Sequence, residues 1–521
     1  MRPRQHPCLD QLHQEDNALP PTHYSLLDEP WLPMRTTEGD TARVGLRACL
    51  CEPHRFKAID STHPTETLAL YRLMLAIAHR AIGAGRLEDR ADLLDEWPRA
   101  RVAAYLETWA HRFHLRDPVR PFLQVAALAA VEKLKPRPWT LLAPERASGN
   151  NRTLFDHTVD RAVPPASDAE LARQLMAHLQ FVPGGLVKAM RTSGSRGPAC
   201  SLLCVLVLGA SLQQTLVLNL VPQSPTEYGA DLAAWEQDEP AISALSAGQE
   251  VVPAGPAQRY TFLSRAVWLG PPGAACSEVR AYAEGLALGD SPVPDPMAAQ
   301  RPSEKGLWPV LLREDRAFWR DLHALSAEGG HPPATVLTAL GIRQACADYT
   351  PLDLLAGGLL ADQAKLLLWR LEERRIAPLL LAGGQPMAAH LHAAIEAAER
   401  AARQLDHALW QACRHWLEAD PSRPPRKSDV QALALQLGGM PRYWQALEPR
   451  FWALADALGQ GGAPDAAMQA WAEQLAGTVR DTWRVTVGQL GSSARALAAA
   501  AKAQGQFARA LAIARQLGKE D

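Results

Sequence analysis

From residue 384 onward, apolar positions recur at helical spacing with few breaks. Segments 386–417, 427–458, 465–485 and 492–517 are long and Ala/Leu-rich, with Gly/Pro/Ser punctuation at 420–425, 459–464 and 488–493. Four helices joined by short links predict an up-down four-helix bundle. Upstream the pattern is mixed. HPTETLALYRLMLAIAHRAI at 63–82 has apolar residues at helical spacing, Thr62 or Thr65 as a cap and Glu66 in the first turn. Residues 91–113 continue as helix, with Trp97 and Trp109 as core anchors. Another helix spans 167–179, with Ser167 as cap and Glu170 at its third position.

Strand patterns are fewer. Residues 24–34 predict a strand turning at Pro30 and Pro33, which 41–50 can pair. Residues 202–208 and 215–221 form a buried pair, either two strands or a strand and a helix. The Pro/Gly-rich stretch 222–309 is irregular α+β, with a strand candidate at 260–269. The expected fold is therefore α+β and mostly helical. A flexible tail over 1–23 precedes a large irregular mixed domain over 24–383 and a bundle over 384–521.

The breaks between elements hold the candidate sites. Residues 117–124 (DPVRPFLQ) break helix, and 134–157 is a long irregular loop holding Asn150, Asn151, Phe155, Asp156 and His157. Structureless loops beyond about 12–15 residues are uncommon in compact domains unless functional or disordered. A Pro183-Gly184-Gly185 turn leads into a local basic loop with Lys188, Arg191 and Arg196, for which a solvated charge run is the plain alternative. In TPLDLLAGGLLADQAK at 350–365, Gly357-Gly358 marks a turn or a close backbone approach. Helical patterning resumes over 364–376, with Lys365, Arg370, Arg374 and Arg375. This reads as a Gly-Gly turn presenting Asp362, Gln363 and Lys365 at the mouth of a basic helix, or simply as a turn and a helix cap.

Composition narrows the function. The 521 residues are 47% apolar and carry a formal net charge of −2, so any nucleic-acid role rests on local basic patches or on partner subunits. No apolar run is long enough to span a membrane, and the opening residues do not resemble a signal peptide. The eight cysteines, at 8, 49, 51, 200, 204, 276, 346 and 413, form no CxxC pair; reduced thiols in a cytoplasmic protein are expected. Phosphate-loop, dinucleotide and nucleophile-elbow motifs are absent. His111 with His114, and His390 with His392, lack the further ligands zinc needs. Asp156-His157 has no assignable nucleophile. No enzyme, cofactor or metal is expected.

Taken in order, several segments resemble one family. They are YSLLDEPWLPM at 24–34, PFLQ at 121–124, Thr153-Leu154-Phe155 and Pro183-Gly184-Gly185. LVLNL at 216–220, Ala234-Trp235-Glu236, GLWP at 306–309 and TPLDLLAGGLLADQA at 350–364 follow, ahead of the C-terminal helices. In this the chain resembles CasA, the large subunit of the type I-E CRISPR Cascade complex. The resemblance implies a non-catalytic protein that recognises the protospacer-adjacent motif of duplex DNA from the minor groove. It also implies help in opening the duplex for guide pairing, and recruitment of a helicase–nuclease. Gly184 and Gly185 then fall in a glycine loop approaching the DNA backbone. Asp362 and Gln363 fall in the minor-groove loop, with Gln363 as the wedge. Phe155, beside Asn150 and Asn151, falls in the loop that contacts neighbouring subunits and the crRNA end. Lys188, Arg191, Arg196, Lys365 and Arg370 are candidate phosphate contacts. Where the family often has asparagine this chain has Asp362, which accepts but cannot donate a hydrogen bond when ionised. The alternative reading is a helical adaptor without direct DNA readout.

Overall fold

The computed structural model describes residues 23–516, apart from 84, 86, 145, 147–162, 223–227, 291–292, 305, 327–329, 363–364, 419 and 421. The expected tail, except His23, lies outside the described residues, as do Asn150, Asn151, Phe155, Asp156, His157 and Gln363. An antiparallel sheet opens the chain, with β1 (Leu32–Thr36) between β2 (Thr41–Val44) and β3 (Phe56–Ile59). The first strand starts later than expected because the buried Trp31 indole donates to the Leu26 carbonyl at 2.8 Å, curling residues 26–31 into a turn. The second ends at Val44, where a short helix, Leu46–Cys51, takes over.

Helix α1 (Pro64–Ile82) starts with Pro64 in its first turn, where a missing N–H costs nothing. Neither threonine caps it; His63 holds the cap position without a side-chain bond. The expected helix over 91–113 is reduced to Arg99–Thr108 with single turns on either side. Trp97 is half-buried and donates to the Leu50 carbonyl at 2.8 Å. Helix α2 (Asp168–Phe181) is capped as its pattern predicts, the Ser167 hydroxyl accepting from the Glu170 N–H at 3.2 Å. Arg72 of α1, fully buried, meets Asp295 through two bonds of 2.7 and 3.0 Å, donates to Gln180 of α2 at 2.8 Å, and lies 4.3 Å from the Tyr260 ring centroid. Removing one partner of such a buried pair typically costs about 3–5 kcal/mol. Two of the ordered motifs meet in this core: Phe122 stacks on Trp235 and on Phe113, and Trp235 lies tilted against Phe113, with centroids 4.9–5.7 Å apart.

Two short strands, β4 (Gly185–Leu186) and β5 (Ser193–Gly194), pair across the basic loop. The buried pair proves to be a strand and a helix, β6 (Cys204–Leu208) and α3 (Leu212–Leu218). The strand expected over 260–269 shortens to β7 (Arg265–Trp268), paired with β8 (Ala281–Glu284). The largest correction concerns 350–376. The Gly-Gly pair is not a turn and no helix follows it. Residues form a long antiparallel hairpin, β9 (Leu352–Asp362) and β10 (Lys365–Ile376), with β6 on the other side of β9. The second option for the glycines is the one realised, a close backbone approach. A Cβ on Gly357 would lie 2.1 Å from the Arg370 carbonyl oxygen, and one on Gly358 (φ +154°) 2.5 Å from that of Leu202. Cross-strand pairing overrides the helix propensity of the Lys/Leu/Arg run in β10.

This three-stranded sheet separates two cores. Cys204, Leu206, Leu355 and Leu359 point into the core built on α1 and α2. Leu203, Val205, Val207, Leu352, Leu354 and Ala356 point into the other, shared with the C-terminal helices. The two-residue period of a strand serves both. The helices are α4 (Pro386–Leu417), α5 (Lys427–Leu437), α6 (Gly439–Gly459), α7 (Pro464–Gly488) and α8 (Ala494–Gln516). The expected second helix is thus broken in two, because Gly438 is left-handed (φ +63°) and a Cβ on Gly439 would strike Leu409 at 2.6 Å. Glu399 of α4 accepts from Arg316 at 2.6 Å and Arg320 at 2.8 Å, tying the helices to the mixed region.

Gly357→Ala is expected to lower the unfolding free energy by about 1–3 kcal/mol, since the strand has no room for a methyl group. Gly505→Ala, mid-helix with nothing near its Cβ, should raise it by up to about 1 kcal/mol. Urea unfolding of both variants checks the contrast.

Candidate nucleic-acid interface

Residues 183–196 form a loop whose backbone is held by two opposite charges from adjacent strands. Arg265 of β7 and Glu284 of β8 are register partners and both are buried, yet each turns to the loop. The Arg265 guanidinium donates to the carbonyls of Pro183 at 2.7 Å and Ser195 at 2.5 Å, closing the two ends of the loop. Glu284 accepts from the N–H groups of Met190 at 2.8 Å and Ala189 at 3.1 Å. Burial pushes against ionisation of Glu284, but the backbone donors, Met190 foremost, outweigh it and hold its carboxyl below the usual range. Lys188, between them, adopts φ +58° and stays exposed. That left-handed conformation costs a non-glycine residue about 1–2 kcal/mol. Gly185 has φ +150°, and a Cβ on Gly184 would press on the Arg196 backbone nitrogen at 3.3 Å.

A buried relay extends inward from Arg265. Its Nε donates to the Tyr282 hydroxyl at 3.2 Å, and that hydroxyl lies 2.9 Å from His178 Nε2. His178 also bonds the Leu142 carbonyl, which can only accept, so the other ring nitrogen carries a proton and Nε2 accepts from Tyr282. Burial first, then the Arg265 charge, lowers the His178 pKa to about 3, and the ring is neutral. The relay connects the glycine turn to Leu142, at the root of the long loop.

The hairpin arm reaches the same place. β9 pairs with β6 only from Asp353 to Gly357; beyond that, Ser201 takes over. Its N–H donates to the Leu359 carbonyl at 2.8 Å, and its hydroxyl lies 3.4 Å from the Ala361 nitrogen. Ser201 is itself left-handed, φ +64°. A bulge places Leu367 out of register near the hairpin end, where bulges increase twist and re-aim side chains. Asp362 and Lys365 face each other in the last register pair, both exposed. Between the glycine turn and the hairpin lies a cavity of about 340 Å³, lined by Gly184, Gly185, Leu359 and Leu366 among others.

The expected phosphate contacts divide into two groups. Lys188, Arg196 and Lys365 are exposed. Arg191 instead turns inward and donates to the Gly285 carbonyl at 2.8 Å, and Arg370 donates to the Arg316 carbonyl at 2.7 Å and pairs with Glu372 at 3.1 Å. Both hold structure together. Among the described residues, no group of three or more His, Cys, Asp or Glu side chains converges as a metal site. His111 stacks on Trp109, and His392 bonds Glu396. No described helix is long and apolar enough to cross a membrane.

The family model of the CRISPR-associated protein Cse1 matches residues 25–482. The chain belongs to the Cse1/CasA family. A CRISPR-associated protein CasA/Cse1 of Thermus thermophilus is 34% identical over 516 residues, 95% of this chain and 98% of that protein. The crystal structure of Thermus thermophilus CasA superposes with a TM-score of 0.80 at 31% identity, covering 94% of this chain and 99% of the other. A chain of a CRISPR RNA-guided surveillance complex shares the fold, with a TM-score of 0.72 at 23% identity over 94% of this chain and all of the other. The sequence pattern marked the turn at 183–185 and a special backbone at Gly357-Gly358, but did not reveal the hairpin, or Arg265, Glu284, Tyr282, His178 and Ser201 as supports. The signal available was Arg265 inside an otherwise apolar strand pattern.

Because His178 is neutral when folded and titrates near 6.5 when unfolded, its contribution is present above pH 6.5 and is lost as pH falls toward 3. His178→Gln should flatten the fall of unfolding free energy between pH 6 and pH 4 by about 1.4 kcal/mol per pH unit. Denaturant titrations across that range check it.

Proposed function

We propose that this chain is the large, non-catalytic subunit of a cytoplasmic type I-E Cascade complex, assembled with other Cascade subunits and crRNA. In this reading it recognises the protospacer-adjacent motif of target double-stranded DNA from the minor groove, promotes duplex opening and recruits a helicase–nuclease. The observation that carries the reading is the convergence of the glycine turn and the hairpin on one cleft, with Lys188 and Arg196 exposed on the loop that holds the turn and Lys365 exposed at the end of the hairpin. A minor groove about 6 Å wide admits bare backbone and short side chains, and offers acceptors plus the guanine amino donor. Gly184 and Gly185 supply the bare backbone. Asp362 accepts from a guanine amino group, and Gln363 acts as the wedge beside the first opened pair, offsetting part of a few kcal/mol of unstacking. Phosphate contacts position the duplex and base pairing reads the rest of the sequence. Phe155, with Asn150 and Asn151, belongs to the loop that contacts neighbouring subunits and the crRNA end. In this reading residues 24–383 form the recognition domain and 384–521 the helical bundle.

A second reading, a helical adaptor without DNA readout, is favoured by the near-neutral net charge and by Asp362. Reconstituted crRNA complex, with and without this subunit, separates the two on a library of duplexes with randomised motifs. Motif-dependent binding that Gln363→Ala and Gly184→Asp each weaken is the expected result. Binding indifferent to motif and to both substitutions would leave the adaptor reading.

Salt dependence tests the cations. Lys188→Ala, Arg196→Ala and Lys365→Ala should each reduce the slope of log affinity against log salt by about 0.9. Arg191→Ala should act instead on thermal stability, through the loop it holds.

A further inference from the structure

A row of cations beside the cleft has nothing to hold. Lys133, Lys135 and Arg137 are all exposed, and among the described residues none of them enters an ion pair or a hydrogen bond. Glu278, in register with Pro138, is engaged by Arg280 at 3.6 Å. That leaves the exposed Glu132 as the one carboxylate within 131–139, against three cations. The backbone beneath the row is fixed on both sides. The Leu134 N–H donates to the Val131 carbonyl at 3.0 Å, closing a turn, and Arg137 and Pro138 pair with Val279 and Glu278.

The two ends of this segment pack in different places. Trp139 and Leu142 belong to the core that also receives Leu359 and Leu366 of the hairpin. Leu134 packs instead on a small separate cluster with Ala189 and Met190 of the glycine loop, to which the hairpin contributes no described residue. Arg137 itself lines the cleft beside Gly184 and Gly185. The row therefore starts in the cleft and leaves it alongside the glycine loop, away from the hairpin. Its charge suits a polyanion. Single-strand sites set exposed aromatic rings among their cations, and the one aromatic within 131–139, Trp139, is 1% exposed. The chemistry is that of a track for phosphates alone.

Resting on the DNA-recognition reading, we propose that Lys133, Lys135 and Arg137 grip the phosphates of one strand of the closed duplex flanking the motif, on the side that is never opened. The hairpin acts where the duplex parts, and this row holds the part that stays paired. Phosphate contacts fix position and carry no base information, so the row adds affinity without altering motif preference.

The test uses the full crRNA complex containing this chain and target duplexes with single neutral methylphosphonates at successive flank positions on either strand. In the wild type, replacement at up to three neighbouring phosphates of one strand should weaken binding. The triple variant Lys133→Ala, Lys135→Ala, Arg137→Ala should lose that signal and lower the slope of log affinity against log salt by about 2.7, at about 0.9 per phosphate. It should keep its motif preference and its melting temperature. A duplex cut back to the motif should lower the wild-type slope equally and leave the variant unmoved. A flank signal that persists in the variant overturns the proposal. So does a variant-sensitive signal found only on the displaced strand inside the opened region, which assigns the row to single-stranded DNA. Loss of assembly of the variant with the crRNA complex assigns it to a subunit or to crRNA, and also overturns it. Absence of subunit-dependent duplex binding in the wild type overturns the proposal together with the reading beneath it.

Discussion

The shape of the glycine loop depends on a division of labour between two buried opposite charges. Arg265 and Glu284 stand across from each other on paired strands, where a direct ion pair would be the simple outcome. Instead the cation takes the loop's carbonyls and the anion its N–H groups. Charge-assisted hydrogen bonds contribute about 1.5–3 kcal/mol each. Ordering a loop residue costs about 1–2 kcal/mol, and Lys188 adds left-handed strain. Four such bonds offset part of that cost, and the β4–β5 pairing and the Arg191 bond to the Gly285 carbonyl add to them, with Lys188 held outward.

The hairpin is fixed by different means. Its inner half is a middle strand between two cores, so both faces are packed. Its outer half leaves β6 behind and is held by Ser201 on one side and β10 on the other. β10 in turn is wired to the C-terminal helices. Arg370 bonds the Arg316 carbonyl, Arg316 and Arg320 converge on Glu399 of α4, and Arg374 pairs with Glu448 of α6 at 3.2 Å. Displacement of the hairpin therefore pulls on the helices through guanidinium contacts, and a change in helix packing acts back on the hairpin.

Much of this was legible in the residues. The helix at 64–82, the Ser167 cap, the strand–helix choice left open at 202–221 and the C-terminal helices follow from periodicity and capping, which are local. The hairpin did not follow. Lys, Leu and Arg favour helix over 365–376, and only pairing with β9, itself paired with a strand about 150 residues earlier, decides otherwise. Gly357-Gly358 announced a special backbone, but a turn and a close approach write the same two letters. The site's supports were hidden for the same reason. Nothing near Arg265 in sequence says that it serves Pro183 and Ser195, and His178 reads as one more polar residue of an amphipathic helix.

The alternation of β6 and β9 between two cores carries a consequence for biosynthesis. β6 leaves the ribosome about 150 residues before the strand that pairs with it. At typical elongation rates of about 5–20 residues per second, that gap is roughly 8–30 s. Throughout it, CVLVL at 204–208 is a short apolar strand with an unsatisfied edge and apolar side chains on both faces. Such an edge invites pairing with other chains. α3 lies directly downstream, and Asn219 at its end bonds the Val207 N–H at 2.9 Å and carbonyl at 2.6 Å. Those bonds cover the edge turned away from β9, on which the Val205 N–H also meets the Met297 carbonyl, so the edge that pairs with β9 stays open until that strand is made.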